Sequence, residues 1–425
     1  MKCEGMKNAT PNCPFTGSFI VTSVPPSVAN DQELSPEKSP FKAFPYSSST
    51  EEIQIDSTVQ PSPRFMTLLE GHNVPGDCSN PPEPPPWFDK QLFDRGREFY
   101  RKYLFSLSFC DLVTLILMFS VDKGLKPLMY TGQSDTPQKA LKRYFSTFLH
   151  ILSWYKGDVW NPEDPSHKDI MKIRSVHNKI AALCNSSEEN EKVANFSVSD
   201  MGHKEPSHPF YTAIQQDITP HAEANMTPKT TQFHFISQLD MCITQYTFIG
   251  LLVAHPEKLG AGGASEEEFA GLIHFWRGIG WLLGIDDKYN FCSGTVAETR
   301  ALSLEIEHLI AIPFLSKASW NYEHMSRSLM SGMQIIIPNL TYPVMFRYLA
   351  HVLDLSIPRF VKRMSLHECF QYWMMRLLFG IITIFPSIGD VLSNRFRHMI
   401  NILLDRSEKL EQRHSGTVIL RKNYS

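Results

Sequence analysis

The apolar run at residues 104–121 constrains the fold more than any other part of this sequence. It is 18 residues long, close to the length at which a helix crosses a lipid bilayer. Asp111 lies in the middle of the run, and a lone carboxylate is costly at the centre of a membrane. We therefore expect a helix that is fully buried in a protein core, with a membrane span as the alternative.

A second helix is predicted at residues 169–184, where apolar residues are spaced three and four apart. Asp164 is a suitable cap for its start, and Pro165 suits the first helical position. The predicted buried stripe consists of Ile170, Ile173, His177, Ile180 and Cys184.

His177 is the unusual member of this stripe, because a leucine would be easier to bury at its position. Arg174 lies one turn earlier at the edge of the same face, and Asn178 lies on the other flank. The simplest interpretation of His177 is a core histidine that is hydrogen-bonded to a neighbouring backbone group. The alternative is a ligand or a catalytic residue.

A third helix is predicted by the capping-box spacing of Ser265 and Glu268 and the apolar pattern after it. His274 and Arg277 lie beside Trp276 on this helix. Three glycines weaken it by roughly 1 kcal/mol each relative to alanine, so they are expected to permit a close approach. The glycines are Gly271, Gly278 and Gly280. Their partner is expected to be another helix or, as the alternative, a flat cofactor.

The chain divides by composition into a tail and a folded part. Residues 1–86 are rich in Ser, Pro, Glu and Asn and predict a disordered tail, whereas residues 87–415 form one large helical domain without a strand-rich region. The polar interval at residues 185–231 is interpreted as a surface insertion loop. The apolar run at residues 373–388 is too short for a confident span and is compatible with a re-entrant or interfacial helix.

Composition and motifs exclude several classes of function. The net charge is −3 and no basic block is present, so nucleic acid is not an expected partner. None of the eight cysteines forms a CxxC pair, which argues against a zinc site or a thioredoxin-like motif. The sequence also lacks GxSxG, P-loop and HExxH motifs.

Two histidines on separate apolar helices of an all-α protein suggest a haem or a metal held between helices. Haem suits this set of residues, because its ring needs an apolar slot, its iron takes an imidazole and its propionates pair with Arg or Lys. The two histidines are His177 and His274. The candidate haem contacts are Arg174, His274 and Arg277.

Four segments of the chain resemble the rubber-oxygenase family, which includes latex-clearing proteins and the endoplasmic-reticulum-bound oxygenase of mycophenolic acid synthesis. The segments are WFDKQLFDRGREFY, IRSVHNKI, ISQLDMCITQYTFIG and IHFWRGIGWLLGIDDKYNFC, and the last is the most specific. Together they cover roughly residues 87–300. The resemblance implies an all-α, globin-like core that carries b-type haem. It also implies oxygen chemistry on an apolar substrate, such as cleavage of an isoprenoid double bond.

The resemblance also indicates which residues act. In latex-clearing proteins an Arg-x-x-Lys-Thr segment lines the distal haem face, and the matching positions here hold Arg174, His177 and Asn178. The lysine and threonine are absent, which leaves Arg174 as the best-supported match. The proximal histidine cannot be placed by spacing, so His234 and His274 are both candidates, and His177 is a third.

The sequence therefore predicts a haem b-dependent, oxygenase-like protein whose partners are molecular oxygen and a small apolar substrate. Iron would bind a histidine on one side, and oxygen would bind on the other side near Arg174. The expected location is the endoplasmic reticulum or another intracellular membrane, with the cytoplasm as the alternative. Two other functions compete with this one: a non-catalytic lipid-binding or membrane-associated protein of the same fold, and a haem protein used for sensing or electron transfer. The oligomeric state is left open.

Overall fold

A computed structural model describes residues 61–222 and 234–415, and over these residues the chain is all-α, as predicted. No strand occurs in the described ranges, and an isolated bridge joins Pro75 to Ser237. Residues 61–402 form one compact helical unit. The helices are α1 (Pro63–Glu70), α2 (Lys90–Met118), α3 (Asp122–Tyr130), α4 (Pro137–Lys156), α5 (Pro165–Cys184), α6 (Asn190–Asn195), α7 (Tyr211–Ile218), α8 (Gln238–Ala254), α9 (Glu266–Leu282), α10 (Val296–Ile306), α11 (Ile312–Leu315), α12 (Trp320–Met333), α13 (Tyr342–Val352), α14 (Pro358–Val361), α15 (Leu366–Ile384) and α16 (Pro386–Ser415).

Helix α2 is the central helix of this unit. It packs along α9 and against α8 and α13, and its residues Leu104, Cys110 and Val113 are completely buried. A kink at Tyr103 separates its amphipathic first half from the apolar run that begins at Leu104. Most side chains of this run are packed inside the domain, as the core interpretation predicted, while Phe105 and Asp111 stay partly exposed. Within the described ranges, no single helix has both the length and the apolar character needed to cross a membrane.

The glycines of α9 pack against other helices, as the simpler interpretation predicted. A Cβ atom placed on Gly96 of α2 would lie 2.3 Å from the carbonyl oxygen of Gly271. A Cβ atom on Gly278 would lie 2.9 Å from the Phe93 ring of α2, and one on Gly280 would lie 2.2 Å from the Gln245 side chain of α8. Because α2 and α8 fill the space beside these glycines, the glycines allow close helix packing and leave no room there for a flat cofactor.

The predicted boundary of the tail at residue 86 is wrong, because residues 61–86 belong to the folded unit. Phe65 and Leu68 of α1 are only 1% and 2% exposed. The amide of Gln238 on α8 donates hydrogen bonds to the carbonyls of Pro75 and Gly76. An eight-residue helix between proline-rich stretches shows too little periodicity to be recognised, and its burial against α8 and α10 stabilises it. Residues 1–60 of the predicted tail lie outside the described ranges.

The predicted insertion loop at residues 185–231 is also corrected, because this interval contains helices α6 and α7. The side chains of Val193 and Ile214 are fully buried, so both helices pack onto the domain. Buried Asp217 accepts a hydrogen bond from the backbone of Phe360, at 2.9 Å. Only a few buried side chains hold this interval on the domain. They are scattered among polar residues, so the sequence gives no clear helical pattern. Residues 223–231 of the interval lie outside the described ranges.

Candidate functional site

Helix α5 carries three of the predicted site residues, and it begins where the sequence predicts. Asp164 caps it by accepting a hydrogen bond from the backbone of Ser166, and Pro165 is its first residue. The predicted stripe is only partly buried: Ile170 and Cys184 are inaccessible, whereas Ile173, His177 and Ile180 are partly exposed. The buried polar residue in the middle of the helix is Arg174, at 7% exposure. Its buried guanidinium needs hydrogen-bond partners and a counter-charge, because a buried charge without them is costly.

Arg174 is bound by Asp77, in the segment before α2. Its Nε donates to Asp77 Oδ2 at 2.8 Å, and its Nη2 donates to Oδ1 at 2.5 Å. Its Nη1 donates to the backbone carbonyls of Asn80 and Leu282, at 2.9 Å and 3.3 Å. Every nitrogen of the guanidinium thus donates to the protein, and a bidentate pair of this kind is a strong one. Arg174 links α5 to the segment at residues 77–80 and to the end of α9.

Asn178 completes this arrangement, which we call the Asp77 cluster (Asp77, Arg174 and Asn178). Its amide donates to Asp77 Oδ2 at 2.5 Å. Burial alone would raise the pKa of Asp77, but hydrogen bonds from Arg174, Asn178 and the backbone of Ser79 lower it to about 2. Asp77 is therefore a carboxylate at neutral pH. Asp77 lies 97 positions from Arg174 in the sequence, so this pairing depends on the fold.

His177 is not part of the Asp77 cluster, although it lies one turn from Arg174. Its Nδ1 is buried and has no hydrogen-bond partner among the described residues. The predicted bond to a neighbouring backbone group is therefore missing at this nitrogen. Burial, together with Arg143 of α4, lowers the pKa of His177 to about 4. The ring is neutral at physiological pH. A neutral imidazole with an unused nitrogen has the chemistry of a metal ligand.

His274 and Arg277, on α9, hold the segment that leads into α2. The backbone N–H of Asp89 donates to His274 Nε2 at 3.0 Å, and the imidazole stacks on Phe88. Arg277 forms a bidentate pair with Asp287, at 2.8 Å and 2.6 Å, and lies 4.0 Å from the Trp87 ring centre. Burial and the charge of Arg277 lower the pKa of His274. These two residues stabilise the entry to α2.

His234 lies at the start of the last described range, just before α8. It is partly exposed, and burial and the nearby Lys123 lower its pKa. In the described ranges no group of three or more His, Cys, Asp or Glu residues could hold a metal ion, so the three candidate histidines do not form one cluster. Haem iron takes as few as one protein imidazole. A haem site would therefore depend on a single histidine.

Helices α4 and α5 also carry a hydrogen-bonded Ser–His–Asp series that the sequence did not predict. Ser146 Oγ lies 3.3 Å from His150 Nε2, and His150 Nδ1 lies 2.8 Å from Asp169 Oδ1. Trp154 Nε1 also donates to Asp169, at 2.9 Å. The i, i+4 spacing of Ser146 and His150 was the available signal. Ser146 lies within α4, where backbone N–H groups are used by the helix and form no oxyanion hole. This Ser–His–Asp series is best explained as a structural link between α4 and α5.

Comparison of the chain with models of protein families, with curated proteins and with solved structures gives no match. The function is therefore inferred from the residues of this chain alone. Among the predicted site residues, Arg174 and Asn178 come together at Asp77. His274 and Arg277 come together around Trp87, and His177 is the one with a buried and unused polar atom.

Proposed function

We propose that this chain is a haem-binding, oxygenase-like protein that acts on an apolar substrate, and that His177 is the residue that binds the haem iron. One observation carries the proposal: the buried Nδ1 of His177 has no partner, whereas every nitrogen of the neighbouring Arg174 has one. An unpaired buried polar atom costs about 1–3 kcal/mol, and among the three candidate iron ligands His177 is the one that has such an atom in the described structure.

The residues around His177 fit a haem group in three respects. The imidazole is neutral, because burial and Arg143 depress its pKa, so a ring nitrogen can bind a metal without first losing a proton. His177 as a whole is partly exposed, so its imidazole lies near the surface of the domain. Arg143 makes no ion pair with any described residue and would hold a propionate. When bound, haem supplies a redox-active iron that activates dioxygen.

The other predicted site residues have different roles in this proposal. Arg174 and Asn178 are positioning residues, because the Asp77 carboxylate engages both of them. By fixing α5 against the segment at residues 77–80, they hold the helix that carries His177. His274 and Arg277 likewise hold the segment before α2 and stay outside the haem contacts. Arg143 replaces Arg174 as the expected charge partner of the cofactor.

The test is haem reconstitution of the purified full chain, followed by absorption spectroscopy. A Soret band is expected for the wild type. The His177→Ala variant should lose it, whereas the His234→Ala and His274→Ala variants should retain it. Arg143→Gln should weaken haem binding without removing the band. If the His177→Ala variant keeps the wild-type spectrum and haem content, the ligand assignment is wrong.

The two competing functions give different results in the same experiment. A wild-type chain without any Soret band would favour a non-catalytic, lipid-binding or membrane-associated protein of this fold. A Soret band without oxygen consumption in the presence of apolar alkenes would favour a sensor or an electron-transfer protein. Oxygen consumption that depends on both haem and an apolar substrate is the outcome expected from the proposal.

A further inference from the structure

Helix α15 and its bend into α16 expose an apolar face that is unlike any other surface of the described chain. The inner side of α15 is packed: Phe379 is buried, stacks on Phe105 of α2 and contacts the tilted ring of Tyr348 on α13. The bend is held as well, because Ser393 Oγ of α16 accepts a hydrogen bond from the backbone of Phe105. Both helices are thus fixed on the domain, and their outer side faces solvent.

Large apolar side chains follow one another along this outer side. Leu366, Phe370 and Ile384 are 79%, 61% and 70% exposed. Trp373, Leu377 and Phe385 are exposed by more than half. The spacing of three and four residues places those of α15 on one face of the helix. A contiguous exposed stripe of this kind marks an interaction surface, whereas the side chains of a core helix would be covered.

Geometry favours a helix that lies in a membrane surface over a helix that crosses a membrane. Helix α15 has 19 residues, so it is about 28 Å long. Together with residues 386–402 of α16 it has the length and composition of a broken span, but the pair is bent by 116° at the break. Because the inner side of α15 is packed on α2 and α13, the helix cannot also be surrounded by lipid. Only its outer face is available to a bilayer.

The charge pattern selects a lipid surface. Residues 369–389 contain no Asp or Glu and a single arginine, Arg376. Between residues 359 and 398 six Lys or Arg residues stand against two Asp or Glu residues, whereas the whole chain has 41 against 44. Basic residues beside an apolar stripe match the anionic headgroups of a lipid leaflet. The same face on a second copy of the chain would bring like charges together.

We infer that the outer face of α15 and its bend into α16 is a membrane-docking surface, which inserts into one leaflet of an anionic bilayer without crossing it. Trp373 suits the headgroup level, where tryptophan rings are enriched, and Arg376 lies 5.5 Å from its ring centre. The exposed Lys362 and Arg395, beyond either end of the stripe, face the anionic headgroups. This inference does not depend on haem binding, and it also explains how an apolar ligand dissolved in the bilayer could reach the protein.

The test is vesicle flotation of the full chain with phosphatidylcholine vesicles that contain phosphatidylserine. The wild type should float with the vesicles. The triple variant Phe370→Ser, Trp373→Ser, Leu377→Ser should lose about a thousandfold in partition coefficient, because each of the three side chains contributes about tenfold when it leaves water. These side chains are exposed, so the far-UV circular dichroism spectrum and the melting temperature should not change.

A matched control replaces exposed apolar side chains elsewhere on the domain. Met66 on α1 and Leu183 on α5 are 41% and 44% exposed, and the variant Met66→Ser, Leu183→Ser should float like the wild type. If the triple variant does not fold, the variant Ile384→Ser, Phe385→Ser at the bend serves in its place. A wild type that stays unbound, or an α15 variant that floats as well as the wild type, would overturn the inference. A wild-type dimer that the variant dissociates, without vesicle binding, would show that a second copy covers this face.

Discussion

Arg174 and His177, one turn apart on helix α5, differ in whether their buried polar atoms have hydrogen-bond partners. On the side of the segment at residues 77–80, Arg174 is satisfied by a carboxylate and two backbone carbonyls. One turn along, His177 buries a nitrogen that has no partner among the described residues. The contrast separates a polar residue that stabilises the fold from one that the fold leaves available. It moves the candidate function from Arg174, which the sequence favoured, to His177.

The largest effect on stability is expected from Asp77→Ala, which tests the hydrogen-bonded Asp77 cluster. This variant leaves the buried guanidinium of Arg174 without its carboxylate, and an uncompensated buried charge costs about 3 kcal/mol or more. The free energy of unfolding, measured by chemical denaturation, should fall by about that amount. Lys90→Ala is the control, because it removes an exposed ion pair with Asp94 and should cost less than about 0.5 kcal/mol. Equal effects of the two variants would refute a stabilising role for the Asp77 cluster.

The secondary structure around the site could be read from the sequence, but the partner of Arg174 could not. Local signals fixed the start of α5 at Asp164 and Pro165, and the predicted capping box of α9 is confirmed. The pairing with Asp77 joins residues 97 positions apart, and Asp77 lies in a stretch without periodicity. Such a contact depends on tertiary packing, for which a local pattern carries no information.

Helices α2 and α15 show the same limit for burial. The run of α2 that begins at Leu104 and helix α15 are both strongly apolar and contain few charges, so periodicity gives no reason to treat them differently. Helix α2 is covered by α8, α9 and α13, whereas one side of α15 is left exposed. The difference lies in the number of neighbours that the fold places around each helix. It becomes visible only once the other helices are in place.

Arg174→Lys is expected to have the next largest effect, and it separates a positioning role from direct participation. Lysine keeps the charge but cannot form the bidentate pair or reach both backbone carbonyls, so stability should fall by about 2 kcal/mol. The folded fraction should bind haem with the wild-type spectrum, because His177 is unchanged. The measurements are a denaturation curve and a haem titration. Wild-type stability combined with altered oxygen chemistry would return Arg174 to the active site.

The smallest effect on stability is expected from His177→Leu in haem-free protein. This variant tests the unpaired nitrogen of His177. Leucine removes the unpaired nitrogen and fills a similar volume, so the free energy of unfolding at pH 7 should rise by about 1 kcal/mol. A residue that stabilised the fold would give a decrease. Met171→Leu on the same helix is the control and should be near neutral, because it also exchanges one partly exposed side chain for leucine.

The gain from His177→Leu should also depend on pH, in a direction that the depressed pKa of His177 determines. Between its ordinary pKa of 6.5 and about 4, the unfolded chain takes up a proton at His177 that the folded chain does not. The wild type therefore loses stability relative to the variant as the pH falls through this window, and the difference levels off below about 4. Denaturation curves of both proteins across this range measure the effect. A constant difference would mean that the imidazole titrates normally in the folded protein, and that His177 is not held neutral for metal binding.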